Sequence, residues 1–158
     1  MLKRKIPTTE QALQKLRHYC SYQERCHSEV RSKLYQLGIC KKFHDELIAE
    51  LIQQNYLNEE RFAIAFARGK FKMNQWGKRK IVQALKERGV SDYCVKIALK
   101  EINEKDYLDT IQKLVEKKFE SLNGEKISVK RNKVNEYLIA RGFEPKIILN
   151  ITQDLRPM

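Results

Sequence analysis

The sequence predicts an all-α protein built from three tandem three-helix units, and three observations lead to this prediction. A pattern of apolar residues ending in a glycine occurs three times, at Gly38, Gly89 and Gly142. Apolar residues spaced by three or four positions precede and follow each pattern, as in helices with one buried face. No segment shows the sustained alternation of a strand, and six glycines and three prolines in 158 residues leave little material for long turns.

The repeated pattern places apolar residues eight and four positions before each glycine and another directly after it. Residues four apart lie on one face of a helix, and a glycine past the last turn can adopt the left-handed conformation that ends a helix. The glycines lie 51 and 53 residues apart, which indicates internal repetition. The three copies are Val30-x3-Leu34-x3-Gly38-Ile39, Ile81-x3-Leu85-x3-Gly89-Val90 and Val134-x3-Leu138-x3-Gly142-Phe143.

Helix start signals agree with this pattern. Thr8 and Ser21 each begin a predicted capping box, and Asn58 and Ser91 precede acidic residues as N-caps do. The third unit is the loosest copy, because Asn123-Gly124 is inserted and Pro145 is tolerable only in the first turn of its last helix.

These signals divide the chain into a short arm and three units. We expect a basic N-terminal arm over residues 1–8 that includes Lys3, Arg4 and Lys5. The helical units then cover residues 9–55, 56–103 and 104–158.

The composition favours polyanionic partners. Thirty-two Lys and Arg residues against 20 Asp and Glu residues give a net charge of +12. No apolar run approaches the roughly 18 residues that span a bilayer, so we expect a cytoplasmic protein without a membrane segment. In that compartment its four cysteines should be reduced thiols that serve mainly in packing.

The charge is unevenly distributed along the chain. Residues 66–89 hold eight bases and one acid, a net +7, whereas residues 43–60 hold five acids and no Lys or Arg. The basic stretch is therefore the predicted partner-binding region, although a solvated helix face is the alternative interpretation. The candidate contact residues are Arg68, Lys70, Lys72, Lys78, Arg79, Lys80 and Arg88.

Aromatic residues lie within the same stretch. Phe71 or Trp76 could stack against a partner, but a lone tryptophan more often packs between structural elements. Both interpretations of Trp76 stay open from the sequence. A smaller basic set in the third unit is either a further contact or simply solvated; it comprises Lys130, Arg131 and Lys133.

No arrangement in the sequence predicts catalysis, a cofactor or a metal. Gly69 and Gly77-Lys78 are too far apart for a phosphate-binding loop, and Arg79 stands where that motif needs Ser or Thr. The Cys and His residues of the first unit lack paired zinc-ligand spacing. We therefore expect a non-enzymatic protein that works by binding.

Two runs of residues resemble the RecX family of bacterial recombination regulators. The first is Tyr56-Leu57-Asn58-Glu59-Glu60-Arg61-Phe62-Ala63, and the second is Gly77-x3-Ile81-x3-Leu85-x3-Gly89-Val90. The resemblance extends more weakly from about Thr9 to Leu155. Asn58 departs from it, since an acidic residue is common there in the family.

This resemblance implies an elongated, curved array that binds RecA recombinase filaments on DNA and restrains filament growth, ATP hydrolysis, strand exchange and co-protease activity. It also implies a monomer with weak, non-specific affinity for single- and double-stranded DNA. Two other classes stay open: a helix-turn-helix nucleic-acid-binding module that acts without RecA, and an adaptor for an acidic protein.

Overall fold

The structure is a computed structural model that describes residues 5–155, so Lys3 and Arg4 of the predicted arm lie outside the described residues. This part of the chain contains nine α-helices, one 3-10 turn at Lys41–Phe43 and no strand, which confirms the all-α prediction. The helices are α1 (Thr9–Tyr22), α2 (His27–Gln36), α3 (His44–Gln53), α4 (Glu59–Asn74), α5 (Lys78–Glu87), α6 (Asp92–Lys100), α7 (Glu104–Ser121), α8 (Ile127–Ala140) and α9 (Pro145–Thr152).

Side-chain caps fix most of the predicted helix starts. Thr8 and Gln11 form the predicted capping box, in which Thr8 Oγ1 accepts a hydrogen bond from the Gln11 N–H at 3.1 Å. Asn58 and Ser91 cap α4 and α6 as predicted. Pro145 occupies the first turn of α9, where its missing N–H costs the helix nothing.

The capping box predicted at Ser21 is wrong. Ser21 lies inside α1, and its hydroxyl donates to the Arg17 carbonyl at 2.8 Å. Helix α2 instead begins after Cys26, whose backbone N–H donates to Glu29. A serine can also lie in the last turn of a helix, where its hydroxyl bonds to the carbonyl four residues earlier, as Ser21 does.

The three repeated glycines end helices in the predicted manner. Gly38, Gly89 and Gly142 have φ angles of +81°, +77° and +95°, in the left-handed region that favours glycine. In each unit the residue after the glycine donates its N–H to a carbonyl five residues earlier, as Val90 does to Leu85 at 3.1 Å. Each middle helix therefore stops where the sequence predicts.

The helices pack in consecutive groups of three, α1–α3, α4–α6 and α7–α9. The first unit has its own core, which runs from Ala12 to Leu57. The second and third units share one core that extends from Phe62 to Ile148 and also takes in Cys26 of the first unit. Residues 5–155 therefore contain two apolar cores, one for the first unit and one for the other two units.

The solvent-accessible surface shows that the molecule is elongated. Its area is 10793 Å², whereas a compact protein of 18.8 kDa would expose about 8,300 Å². Within the described part of the chain, no helix combines the length and apolar character that crossing a membrane requires.

Residues of the Glu59-Glu60-Arg61-Phe62-Ala63 run connect the first unit to the second. Phe62 and Ala63 are buried in the shared core, and Glu59 and Glu60 lie in the first turn of α4, where acids are favourable. Arg61 donates to Glu24 at 3.0 Å and to the Asn55 side chain at 2.9 Å. The arginine therefore holds the end of the first unit against the start of α4.

The second and third units meet through two glycines. Backbone of the two units approaches so closely at Gly77 and Gly142 that neither position has space for a side chain. A Cβ on Gly77 would clash with the backbone of Gly142 and Phe143, and a Cβ on Gly142 would lie 2.6 Å from the Lys80 nitrogen. The junction therefore requires glycine on both sides.

The close approach of Gly77 and Gly142 allows two backbone hydrogen bonds between the second and third units. Helix α5 begins after Gly77 with neither a side-chain cap nor an acid in its first turn. The Gly77 N–H donates to the Arg141 carbonyl at 2.8 Å, and the Arg79 N–H donates to the Gly142 carbonyl at 3.0 Å. The end of α8 thus caps the start of α5, which brings opposite ends of two helix dipoles together.

We expect Gly77→Ala to destabilise the protein by about 3 kcal/mol, because the added methyl must displace backbone of the third unit. The matched control is Gly69→Ala, since Gly69 lies inside α4 and a Cβ there meets nothing within 4 Å. The control should raise the free energy of unfolding by about 0.5–1 kcal/mol. Urea unfolding followed by circular dichroism measures both variants, and equal stabilities would contradict the tight junction.

Candidate partner-binding surface

The predicted basic cluster lies on three consecutive segments of the second unit. Arg68, Lys70 and Lys72 belong to α4, and Lys78, Arg79 and Lys80 form the first turn of α5. Trp76 lies in the connection between these helices, and Arg88 follows the last residue of α5. The two helices pack against each other, so these segments contribute to one surface.

Four of these residues and the neighbouring Phe66 form a continuous arrangement. We call it the cation–aromatic strip, and it consists of Phe66, Lys70, Trp76, Lys80 and Arg88. The Lys80 and Lys70 amines lie 4.5 Å and 4.9 Å from the centre of the Trp76 ring. The Lys70 amine also lies 5.6 Å from the Phe66 ring, which the Arg88 guanidinium covers at 4.7 Å. The two rings meet edge to face, with centroids 6.5 Å apart.

The end of α4 explains why Trp76 joins this strip. Gln75 adopts a left-handed conformation with a φ of +54°, which turns the chain back on itself. The Trp76 N–H then donates to the Lys70 carbonyl at 3.1 Å. The half-buried indole ring packs against the shared core, so Trp76 serves in packing and also forms part of the charged surface.

The strip carries positive charge that no neighbouring acid neutralises. Within residues 5–155, neither Lys70, Lys80 nor Arg88 takes part in an ion pair, and the same holds for the exposed Lys72 and Arg79. Cation–π contact holds the amines over the rings without cancelling their charge. Phosphate or carboxylate groups of a partner can therefore bind there.

Comparison with known proteins identifies the family. The model of the second three-helix domain of RecX matches residues 58–99, and the model of the third matches residues 104–151. Together these matches cover more than half of the chain. The chain belongs to the RecX family.

Curated relatives and solved structures agree with this assignment. The chain is 27% identical to Regulatory protein RecX of Bacillus cytotoxicus and 25% identical to that of Bacillus mycoides, in each case over 87% of this chain and 51% of the relative. It thus spans about half the length of these relatives.

The crystal structure of RecX from Lactobacillus salivarius superposes with a TM-score of 0.83 and 27% identity, covering 93% of this chain and 96% of that chain. Another crystal structure, of a regulatory protein RecX, gives a TM-score of 0.83 at 21% identity over 92% of this chain and 73% of that chain, and supports the fold alone.

Two of the predicted cations of this RecX-family chain have internal partners. Arg68 pairs with Glu101 at 3.5 Å, and Lys78 pairs with Glu104 at 3.2 Å. The Lys78 amine also lies 4.5 Å from the centre of the Tyr107 ring in the third unit. These two side chains therefore connect parts of the protein, in contrast to the cations of the strip.

The smaller basic set does not assemble into one surface. Lys130 lies over the Phe119 ring at 4.6 Å, and Lys133 pairs with Glu125 at 2.6 Å. Arg131 donates to the Leu155 carbonyl at 2.7 Å and so fastens the chain after α9 to α8. All three side chains are engaged within the third unit.

The sequence interpretation missed Phe66 and misplaced Phe71. Phe66 was not among the predicted contact residues, yet its ring supports Lys70 and Arg88 at the surface. Its position four residues before Lys70 was the available signal. Phe71 is buried and packs against Tyr107 at 5.7 Å, so it cannot stack against a partner.

Arg141 is a further basic residue that charge density alone did not reveal. It stands alone in the sequence beside Gly142, but its guanidinium donates to the Asn74 carbonyl at 3.1 Å and lies 4.9 Å from the Tyr137 ring. The junction therefore brings a cation of the third unit to the end of α4, two residues before Trp76 of the strip.

The structure shows no arrangement suited to a metal ion among residues 5–155, where no group of three or more His, Cys, Asp or Glu side chains comes together. His44 is buried, and its Nε2 lies 2.9 Å from the Ile39 carbonyl. Cys20, Cys26 and Cys94 are buried as expected, whereas Cys40 is exposed, contrary to a packing role.

Tyr107 fixes the position of Lys78 beside the strip. Its buried hydroxyl donates to Glu144 at 2.5 Å and accepts the Lys78 N–H at 3.0 Å. Burial raises the pKa of Tyr107 well above its ordinary value, and the hydrogen bond to Glu144 raises it further. The neutral phenol is thus the form that the folded protein holds.

Tyr107→Phe should lower the free energy of unfolding by about 1–3 kcal/mol, because the Lys78 N–H loses its acceptor. Because the unfolded phenol ionises near pH 10 while the folded one stays neutral, wild-type stability should fall as pH rises above about 10. This fall should be smaller in the variant. Thermal unfolding at pH 7 and 10.5 tests both statements, with Tyr93→Phe at an exposed site as the control.

Proposed function

We propose that this chain is a non-enzymatic regulator that binds RecA recombinase filaments on DNA and mainly inhibits filament extension, ATP hydrolysis, strand exchange and co-protease activity. Membership of the RecX family supports this role. The observation that carries it for this molecule is the cation–aromatic strip, whose three cations take part in no ion pair within residues 5–155.

The strip suits a filament because a filament offers two kinds of negative charge. DNA phosphates and acidic side chains of RecA can both bind an ammonium or guanidinium group, and charge complementarity also speeds the encounter. The aromatic rings beneath the cations add apolar contact area. Lys70, Lys80 and Arg88 are the residues that we expect to contribute most, and Lys72 and Arg79 flank them.

The elongated shape supports contact with more than one filament subunit. Arg61 holds the first unit to the second, and the glycine junction fixes the third unit against the second. A protein of this shape can present its surface along the filament. We also infer that it acts as a cytoplasmic monomer. Binding across neighbouring subunits would oppose the changes that accompany growth and ATP turnover.

The first test is ATP turnover by RecA on single-stranded DNA. The wild-type chain should slow hydrolysis, and the triple variant Lys70→Glu, Lys80→Glu, Arg88→Glu should need a concentration about tenfold higher, a loss of roughly 1.4 kcal/mol. Arg88 is exposed, and Lys70 and Lys80 are half-buried. Circular dichroism verifies that the variant is folded.

A matched control has the same change of charge elsewhere: Lys96→Glu, Lys100→Glu and Lys105→Glu, at exposed positions on α6 and α7. This control should slow hydrolysis as the wild type does. If saturating wild-type protein leaves ATP turnover unchanged, the proposed function is wrong. Equal losses in the two triple variants would show that net charge matters and the strip does not.

Binding to duplex DNA without RecA tests the helix-turn-helix alternative. We expect weak binding that does not depend on sequence, since the proposed contacts are to phosphates. Replacing Lys70, Lys80 and Arg88 by Gln should reduce the slope of log affinity against log salt by about 2–3. Fluorescence anisotropy at several salt concentrations measures this slope. Tight binding to one duplex sequence would favour the alternative.

A further inference from the structure

A large open cleft lies on the first unit, away from the cation–aromatic strip. It has a volume of about 1140 Å³ and is bounded by residues 5–8, by α1 and by α2. Pockets for single small molecules hold about 300–1,000 Å³. The size and open shape of this cleft therefore suit part of a polymer better than a small metabolite.

One wall of the cleft is held in place by specific contacts. The capping box of Thr8 and Gln11 fixes where the chain enters α1. Ile6 lies over the end of α2, where a Cβ on Gly38 would come within 3.3 Å of its side chain. Ile6 itself is 67% exposed, so the capping box, rather than burial, sets the course of this edge of the cleft.

Two tyrosines present flat rings in this cleft. Tyr19 is half-buried, the Arg25 guanidinium lies 3.7 Å from its ring centre, and Arg25 also donates to the Tyr19 carbonyl at 3.1 Å. Tyr22 is 79% exposed although it is a large aromatic side chain. His18 lies four residues before Tyr22 on the same helix face. Tyr19 is therefore held in place beneath Arg25, and Tyr22 presents an exposed ring.

The charges that line the cleft are all basic. Of residues 5–155, Lys5, Lys15, Arg25 and Lys33 line it, and no Asp or Glu does. Arg25 pairs with Glu29 at 3.7 Å, but within residues 5–155 the three lysines take part in no ion pair. The cleft thus combines unpaired amines with one exposed ring, that of Tyr22.

We propose that this cleft binds single-stranded nucleic acid, with phosphates on the lysines and a base stacked on Tyr22. Proteins that bind single-stranded nucleic acid combine aromatic rings and basic side chains in one groove. A duplex keeps its bases stacked and would leave the ring unused, and an acidic peptide would engage only the lysines. This site belongs to the first unit, needs no RecA, and is separate from the proposed function of the strip.

The test is fluorescence anisotropy of a labelled 12-nucleotide single strand of mixed sequence with the full chain and no RecA. Tyr22→Ala should weaken binding about tenfold, whereas Tyr22→Phe, which keeps the ring, should bind like the wild type. Lys15→Gln with Lys33→Gln should also weaken binding and reduce the salt slope by about 1.4, or roughly 0.7 for each phosphate contact.

Matched controls come from α6, where Tyr93→Ala removes a ring that is 70% exposed and Lys96→Gln with Lys100→Gln removes two exposed charges. None of these changes should affect binding as the cleft variants do. The proposal fails if Tyr22→Ala binds like the wild type, or if it weakens duplex binding equally. It also fails if polyglutamate of equal charge competes as well as the single strand. Because RecA is absent, these outcomes are independent of the ATP-turnover assay.

Discussion

The approach of Gly77 to Gly142 is the constraint on which the second and third units depend. Without side chains at these positions, the end of α8 comes close enough to cap the start of α5 through two backbone hydrogen bonds. Tyr107 supplies a third acceptor for the same helix start. The second and third units then share one apolar core. The first turn of α5, with its three cations, is held in position by residues about 65 positions away in the chain.

The basic residues of the second unit have different roles in the structure. Lys78 points into the junction and pairs with Glu104, and Arg68 pairs with Glu101, so both contribute to the structure. Lys70 and Lys80 instead lie over Trp76 with their charge available. Cations in one short stretch of sequence therefore differ in function, because each faces a different neighbour in the fold.

The first unit depends less on the other two units for its packing. It has its own core, and Arg61 connects it to the second unit by hydrogen bonds to Glu24 and Asn55. It also combines the acidic helix α3 with a basic, aromatic cleft near α1. The two surfaces at which we propose that a polyanion binds therefore lie on units with separate cores.

The sequence alone determined the all-α fold and most helix ends, because helix periodicity, N-caps and left-handed glycines are local properties of the chain; the start of α2, predicted at Ser21, was the exception. Gly38, Gly89 and Gly142 were correctly assigned as helix ends, and residues 66–89 were correctly identified as the basic stretch. Only the tertiary structure decided that Gly142 also contacts Gly77, that Phe66 supports the strip and that Phe71 is buried. These facts depend on which surfaces of distant helices meet, and the spacing of residues along one helix does not contain that information.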